Sequence, residues 1–197
     1  MEENDHPHFE PQETLDLPKQ IIRIHDFYGG DGWMLDIGGG GEGIIGLVKG
    51  RQVVSIDLIR RELEETSNDS LKIVMDATNL SFLDSTFEVI TAFFSFMYMT
   101  DETLDAALRE ISRVLKTGGE LLIWDPIVSQ ADSPEHKVFI SWLDVELPDG
   151  RLVETGYGHF LRRLEPERII HRAEGMGLEL IERRIEGATF FLRMMKA

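Results

Sequence analysis

Three features of the chain predict an α/β fold built on a doubly wound, mostly parallel sheet that closes with an antiparallel hairpin. The first is the stretch 34–46, MLDIGGGGEGIIG, where an apolar run reaches Asp36, passes four consecutive glycines and resumes at Ile44 and Ile45. The second is a rhythm. Short apolar runs at 52–57, 71–77, 87–96 and 120–125 alternate with helical patterns, in units of about 30 residues or fewer, as strand–helix–strand crossovers require. The third is the end of the chain, where apolar runs at 178–185 and 188–195 are separated only by Glu186 and Gly187. A join that short makes a hairpin.

The elements follow in order. Residues 17–28 place Ile21, Ile24 and Tyr28 at helical spacing, with Pro18 near the start and Gly29-Gly30 at the end, which predicts an amphipathic helix. The first strand runs to Asp36, and the glycines beyond it lack the Cβ that would keep a ligand from the backbone. A short helix at 44–49 closes at Gly50, the second strand ends in Asp57, and 60–67 is a charged helix. The third strand ends near Asp76. The fourth, 87–96, is apolar throughout, as a strand covered on both faces should be. Leu104, Leu108, Ile111 and Leu115 share one face of a helix over 101–115, which 116–119 terminates before the fifth strand at 120–125. Right-handed crossovers then leave little choice of topology. Past Pro126 the pattern changes to a helix at 135–145, an extended segment at 151–164, a helix at 166–175 and the hairpin.

At 197 residues, 42% of them hydrophobic, the chain suits one domain. We expect 17–197 to form it, with a substrate-side insertion at 127–163, and 1–16 to be a flexible arm. The 36 acidic and 20 basic residues give a net charge of −16, a field that repels phosphate backbones and argues against nucleic acid as a partner. Arg162, Arg163 and Arg168 read as a solvated face. The absence of cysteine excludes disulfides, thiolate metal sites and cysteine nucleophiles. No metal is expected, since His6 and His8 have no third ligand. No apolar run approaches the roughly 20 residues of a membrane span, and the acidic start is unlike a signal peptide, so a cytoplasmic protein is expected. The free edge of the terminal hairpin is equally compatible with pairing between subunits and with solvent.

Asp57, at the end of the second strand, is placed to accept both hydrogen bonds of a ribose diol, and its distance from the glycine loop suits a nucleoside-bearing ligand. Taken in order, LDIGGG at 35–40, Asp57, MDAT at 75–78, FEVI at 87–90, RVLKTGG at 113–119 and the terminal hairpin resemble the class I S-adenosylmethionine-dependent methyltransferases. The likeness is to the small enzymes of the ubiquinone/menaquinone-biosynthesis type and extends from about residue 21 to the end. It implies a Rossmann-like seven-stranded sheet with helices on both faces, S-adenosyl-L-methionine as cofactor and a small-molecule methyl acceptor. It further implies that Gly38 and Gly40 admit the methionine and ribose portions, Asp36 orients the amino group and Asp57 holds the ribose hydroxyls. Leu58 would lie against adenine, Asp76 and the Ala77 N–H would read its edge, and Phe94 and Ser95 would line the methyl end. Glu42 departs from the family's usual glycine. SFL at 81–83 replaces an acid-Pro-Phe variant, and FFSFMYM lacks the Asn-Pro-Pro-Tyr that marks methylation of nucleobase or amide nitrogens.

A sulfonium donor is already activated, so alignment of the reactants does most of the work. A base is needed only when the acceptor holds its proton tightly. His159, Tyr157 and Asp125 are the candidates, Asp125 lying at the carboxyl end of the fifth strand, where open sheets place their sites. Phe96 and Tyr98 are substrate-pocket candidates. Phe93, Trp124 and Trp142 are assigned to packing, and His25 and His171 to structural or exposed positions. Selectivity is expected in the 127–163 insertion, with the N-terminal helix as the opposite wall. Two other functions fit. Gly38-x-Gly40-x-x-Gly43 followed by Asp57 also satisfies a dinucleotide fingerprint and hence an NAD-dependent oxidoreductase, although Asp36 would aim a carboxylate at a pyrophosphate. A non-catalytic S-adenosylmethionine-binding sensor or partner protein would carry the same donor residues.

Overall fold

The computed structural model describes residues 13–25, 27, 29–128 and 136–197. Its first element corrects the expected helix at 17–28: β1 (Thr14–Arg23) is a strand. Leu15, Leu17, Ile22 and Ile24 pack into the core, while Ile21 is 52% exposed on the other side. The alternation is masked in sequence by a register shift between Leu17 and Gln20. Pro18 sits in that irregularity, where a residue without an N–H is tolerated on an edge strand. Thr14, Leu15 and Asp16 of the expected arm already belong to β1. His6, His8 and Tyr28 lie outside the described residues.

The chain then alternates: β2 (Met34–Ile37), α1 (Ile44–Lys49), β3 (Val53–Asp57), α2 (Arg60–Glu65), β4 (Leu71–Val74), β5 (Phe87–Phe93), α3 (Asp101–Val114) and β6 (Leu115–Pro126). It continues through β7 (Val138–Glu146), β8 (Leu152–Phe160), α4 (Pro166–Glu174), β9 (Leu178–Glu186) and β10 (Thr189–Lys196). Seven strands form one sheet in the order β4-β3-β2-β5-β6-β10-β9. The first five of these pair in parallel, and β10 runs antiparallel to both β6 and β9. From β2 the chain steps first to β3 and β4, then returns to β5 on the other side. That reversal opens the crevice in which such sheets hold ligands.

The second correction concerns 135–145, expected as a helix. Val138–Glu146 is a strand whose alternate residues Phe139, Ser141, Leu143 and Val145 are all fully buried. That period of two belongs to a half-covered strand. β7 pairs antiparallel with β8 and parallel with β1, giving a separate three-stranded sheet, β1-β7-β8. Trp142, expected in the core, is instead 45% exposed on the outer face, its Nε1 donating to Asp16 at 2.9 Å. Its ring lies across Gly156, where a Cβ would come within 2.7 Å of it.

Each face of the large sheet is therefore covered differently. On one, α3 and α4 pack Leu104, Leu108, Ile111, Ile169 and Ala173 against Leu121, Ile123 and Phe190. Burying each of the larger α3 side chains stabilises the fold by about 1.5–3 kcal/mol. On the other face, α1 and the inner side of the small sheet share a core with Val89, Phe93, Leu122 and Trp124. Arg113 closes the loop beneath β5 by donating to the carbonyls of Leu80 and Phe82 and to Asp84 and Glu110. Among the described residues no helix is long and apolar enough to cross a membrane.

Candidate active site

The glycine loop leaves β2 and folds back on the end of β3, where the Gly39 N–H donates to the Ile56 carbonyl at 3.0 Å. A Cβ on Gly38, which has φ +70°, would sit 2.6 Å from the Ser95 Cβ, and one on Gly40 would meet the Glu62 Cβ at 2.5 Å and Asp57 Oδ2 at 2.8 Å. Asp36 and Ser55 likewise crowd Gly39, so the loop is glycine because five side chains press on its backbone at these three positions. Asp57 Oδ1 accepts the Ile59 N–H at 2.8 Å, while Oδ2 lies beside Gly40.

Asp36 is 2% exposed and accepts the Thr91 hydroxyl at 2.7 Å. Burial pushes its pKa up to about 7, against the pull of the Thr91 bond and with help from the Asp57 charge. The group therefore changes charge near neutrality. At the end of β4, Asp76 accepts both the N–H and the hydroxyl of Thr78 at 2.8 Å, making a turn that carries the buried Ala77. Leu58 is 67% exposed at the crevice end of β3.

β5 ends in a sharp bend. Phe94 adopts φ +51°, which costs a non-glycine residue of order 1–3 kcal/mol. Its N–H donates to the Trp124 carbonyl at 2.7 Å, and its ring stacks on Tyr157 with centroids 5.1 Å apart and planes 21° from parallel. The next residue, Ser95, is buried beside Gly38 with its hydroxyl unpartnered. A buried hydroxyl without a protein partner is what a polar ligand atom would satisfy.

The small sheet supplies the other wall. Tyr157 of β8 donates its hydroxyl to Glu42 at 3.2 Å, and burial, then the Glu42 charge, holds its phenol well above the usual range. His159, two residues on, meets Tyr98 edge-on at 5.3 Å. Burial lowers the His159 pKa, which keeps its imidazole neutral at pH 7. Tyr98 is partly open to solvent; desolvation, then Asp125, Glu62, Glu42 and Asp57, raise its phenol pKa. Asp125 is 3% exposed; burial raises its pKa strongly, opposed by the Met97 N–H and the charges of Arg168 and Arg162. Phe96 is fully buried in the α3 core beside Leu104 and Leu108.

Of the arginines read as a solvated face, Arg163 is exposed and pairs with Glu165, whereas Arg162 and Arg168 have another role. Arg162 donates to the carbonyls of Met97 and Met99, and Arg168 to Met99 and Asp101, each Arg168 bond being 2.8 Å. Together they clamp the turn that carries Tyr98. Sequence reasoning also missed Thr91, Glu42 and Glu62 as site residues. Glu42 was visible as the one charged side chain in the glycine loop, whereas Glu62 carries no signal short of its contact with Gly40.

Residues 35–123 match the family model described as a methyltransferase domain. A sterol 4-C-methyltransferase of Caenorhabditis elegans is 30% identical over 127 residues, 63% of this chain and 37% of that protein. A ubiquinone/menaquinone biosynthesis C-methyltransferase of Paraburkholderia phymatum is 39% identical over 77 residues, 36% of this chain and 30% of that protein. The chain thus spans well under half the length of these relatives. Among solved structures, a SAM-dependent methyltransferase from Methanosarcina mazei superposes with a TM-score of 0.62 at 18% identity, over 87% of this chain and 98% of that one.

Proposed function

We propose that this chain, which belongs to the class I S-adenosylmethionine-dependent methyltransferases, carries a methyl group to a small-molecule acceptor by in-line displacement. Its cofactor is S-adenosyl-L-methionine, which supplies an activated sulfonium methyl. The observation that carries the reading is the convergence of the close-packed glycine loop, Asp57 and the unpartnered Ser95 hydroxyl on one crevice, opposite Tyr98, Tyr157 and His159.

Each residue then has a task. Asp57 takes the sugar hydroxyls, and Gly38 and Gly40 admit the ligand to the backbone. Leu58 offers an apolar surface to the base, Asp76 and the Ala77 N–H offer an acceptor and a donor to its edge, and Asp36 receives an ammonium. Phe94 presents a π face, and Ser95 a hydroxyl, at the reacting end. The small sheet excludes water there, and the neutral His159 imidazole can take a proton from an acceptor that must lose one. Asp36 sits beneath the loop as a buried carboxyl, which disfavours a pyrophosphate at that place.

Calorimetric titration tests the reading. S-adenosylmethionine should bind saturably and NAD should not. Asp57→Ala, which removes charge-assisted hydrogen bonds of about 1.5–3 kcal/mol, should weaken the donor roughly 10- to 100-fold. Binding of NAD alone, or of neither compound, overturns it.

A further inference from the structure

Among the described residues the sheets end in four open edges, β4 and β9 on the large sheet and β1 and β8 on the small one. Three of them are short or interrupted. β4 has four residues, β1 carries Pro18 and a register shift, and Gly156 and Gly158 weaken β8. Such features keep an edge from pairing with another chain. β9 is different: its nine residues, LELIERRIE, include no proline, glycine or lysine, and its one irregularity, opposite Arg193 and Met194, leaves 182–186 regular. Ile181 and Ile185 stand half exposed along it.

The hydrogen bonding decides which groups of β9 face outwards. The Ile127 N–H donates to the Ala188 carbonyl, so even-numbered residues of β10 bond towards β6 and odd-numbered ones towards β9. Their partners Glu186, Arg184 and Glu182 turn their backbone groups inward, which leaves those of Arg183 and Ile185 at the open edge.

A second β9 laid antiparallel can bond only where outward residues meet. With the two-fold axis at Arg183, Glu182 of each copy faces Arg184 of the other, and Ile181 faces Ile185. Moving the axis to Arg184 opposes two like-charged pairs, Arg184 with Arg184 and Glu182 with Glu186. Like charges directly opposite are destabilising. An axis at Ile185 overlaps the strands only over 184–186 before the turn at Gly187 intervenes. The net charge of −16 repels a second copy over the surface as a whole, so alternating signs on an open edge mark where two copies can meet.

We propose that β9 pairs antiparallel with β9 of a second copy about a two-fold axis at Arg183, joining the two seven-stranded sheets into one. The parallel strands of the two copies then run in opposite directions. Their crevices open on opposite sides of the joined sheet, and neither blocks the other.

Sedimentation equilibrium of the full chain should show reversible dimers in the micromolar range. Arg184→Glu should weaken them roughly tenfold or more, and combining it with Glu182→Arg, which exchanges the signs, should restore them to within about threefold. Circular dichroism checks that each variant folds. Because the chain has no cysteine, oxidative cross-linking reads the register directly. Arg183→Cys alone should give a disulfide-linked dimer, its two copies having Cα atoms about 5.5 Å apart. Ile185→Cys alone should not, since its copies lie roughly 13 Å apart along the strands. A chain that stays monomeric up to about 300 μM overturns the proposal. So do dimers indifferent to Arg184→Glu, which use another surface, and cross-linking through Ile185→Cys in place of Arg183→Cys, which puts the axis elsewhere.

Discussion

The proposed donor half of the crevice draws its groups from the ends of neighbouring parallel strands, Asp36 on β2, Asp57 on β3 and Ser95 just past β5, all held by backbone pairing within one sheet. The proposed acceptor half is assembled from pieces that share no sheet: the turn carrying Tyr98, the two arginines that tie that turn down, and the β8 residues Tyr157 and His159. One half is fixed by ladder geometry, whereas the other depends on side chains crossing between two sheets. The two halves meet at Tyr157, which bonds Glu42 of the glycine loop and stacks on Phe94, so substitutions at Tyr98 and His159 should disturb the proposed donor contacts less than substitutions at Tyr157.

The sharpest attempt to break this division is Phe139→Ala. Phe139 is fully buried at the centre of the small sheet, and its loss should cost about 3–5 kcal/mol by denaturant unfolding. Donor affinity should survive under conditions where the chain remains folded. If it collapses in step with stability, the two halves are a single unit.

Gly40→Ala probes the opposite side. A methyl group there would need the space of Glu62 and Asp57, so S-adenosylmethionine affinity should fall on the order of a hundredfold, with little change in amide-exchange protection of β7 and β8.

The smallest effect concerns Asp36. Its folded-state pKa of about 7 lies above the usual value of 3.8, so the folded chain holds a proton that the unfolded chain has released. Stability contributed by that proton is present at low pH and lost as pH rises towards 7, by up to about 1.4 kcal/mol per pH unit. Urea midpoints followed from pH 5 to 8 should show this decline in the wild type and a flatter profile in Asp36→Asn. Donor affinity should rise over the same range as the carboxylate forms.

The glycine loop and the strand ends around it were legible in the sequence because the glycines and strand-ending acids lie in contiguous runs whose spacing has a direct geometric meaning. The seven strands of the large sheet followed from the same runs. The small sheet was not legible for two reasons. Ile21 and Ile24 fit helical spacing, and the shift at Pro18 breaks the alternation that would have marked a strand. In 138–146 the buried positions include Ser141, so the period of two is interrupted by a polar residue on the core side. The contacts that define the acceptor wall join residues far apart in the chain, Glu42 to Tyr157 and Met99 to Arg168, and no local pattern announces them.

The parallel pairing of β1 with β7 has a consequence for how the chain is made. Thr14 pairs with Val138, so β1 has to wait for about 120 more residues before its partner exists. At ordinary synthesis rates that is roughly 6 to 25 s. Over that interval Leu15, Leu17 and Ile22 have no cover from β7, while the early strands of the large sheet can already collapse around the glycine loop. Closing so long a loop is entropically slow. The small sheet thus closes long after its own first strand is made, though before β9 and β10 complete the large one, and β1 is open meanwhile to a holdase or a misplaced strand.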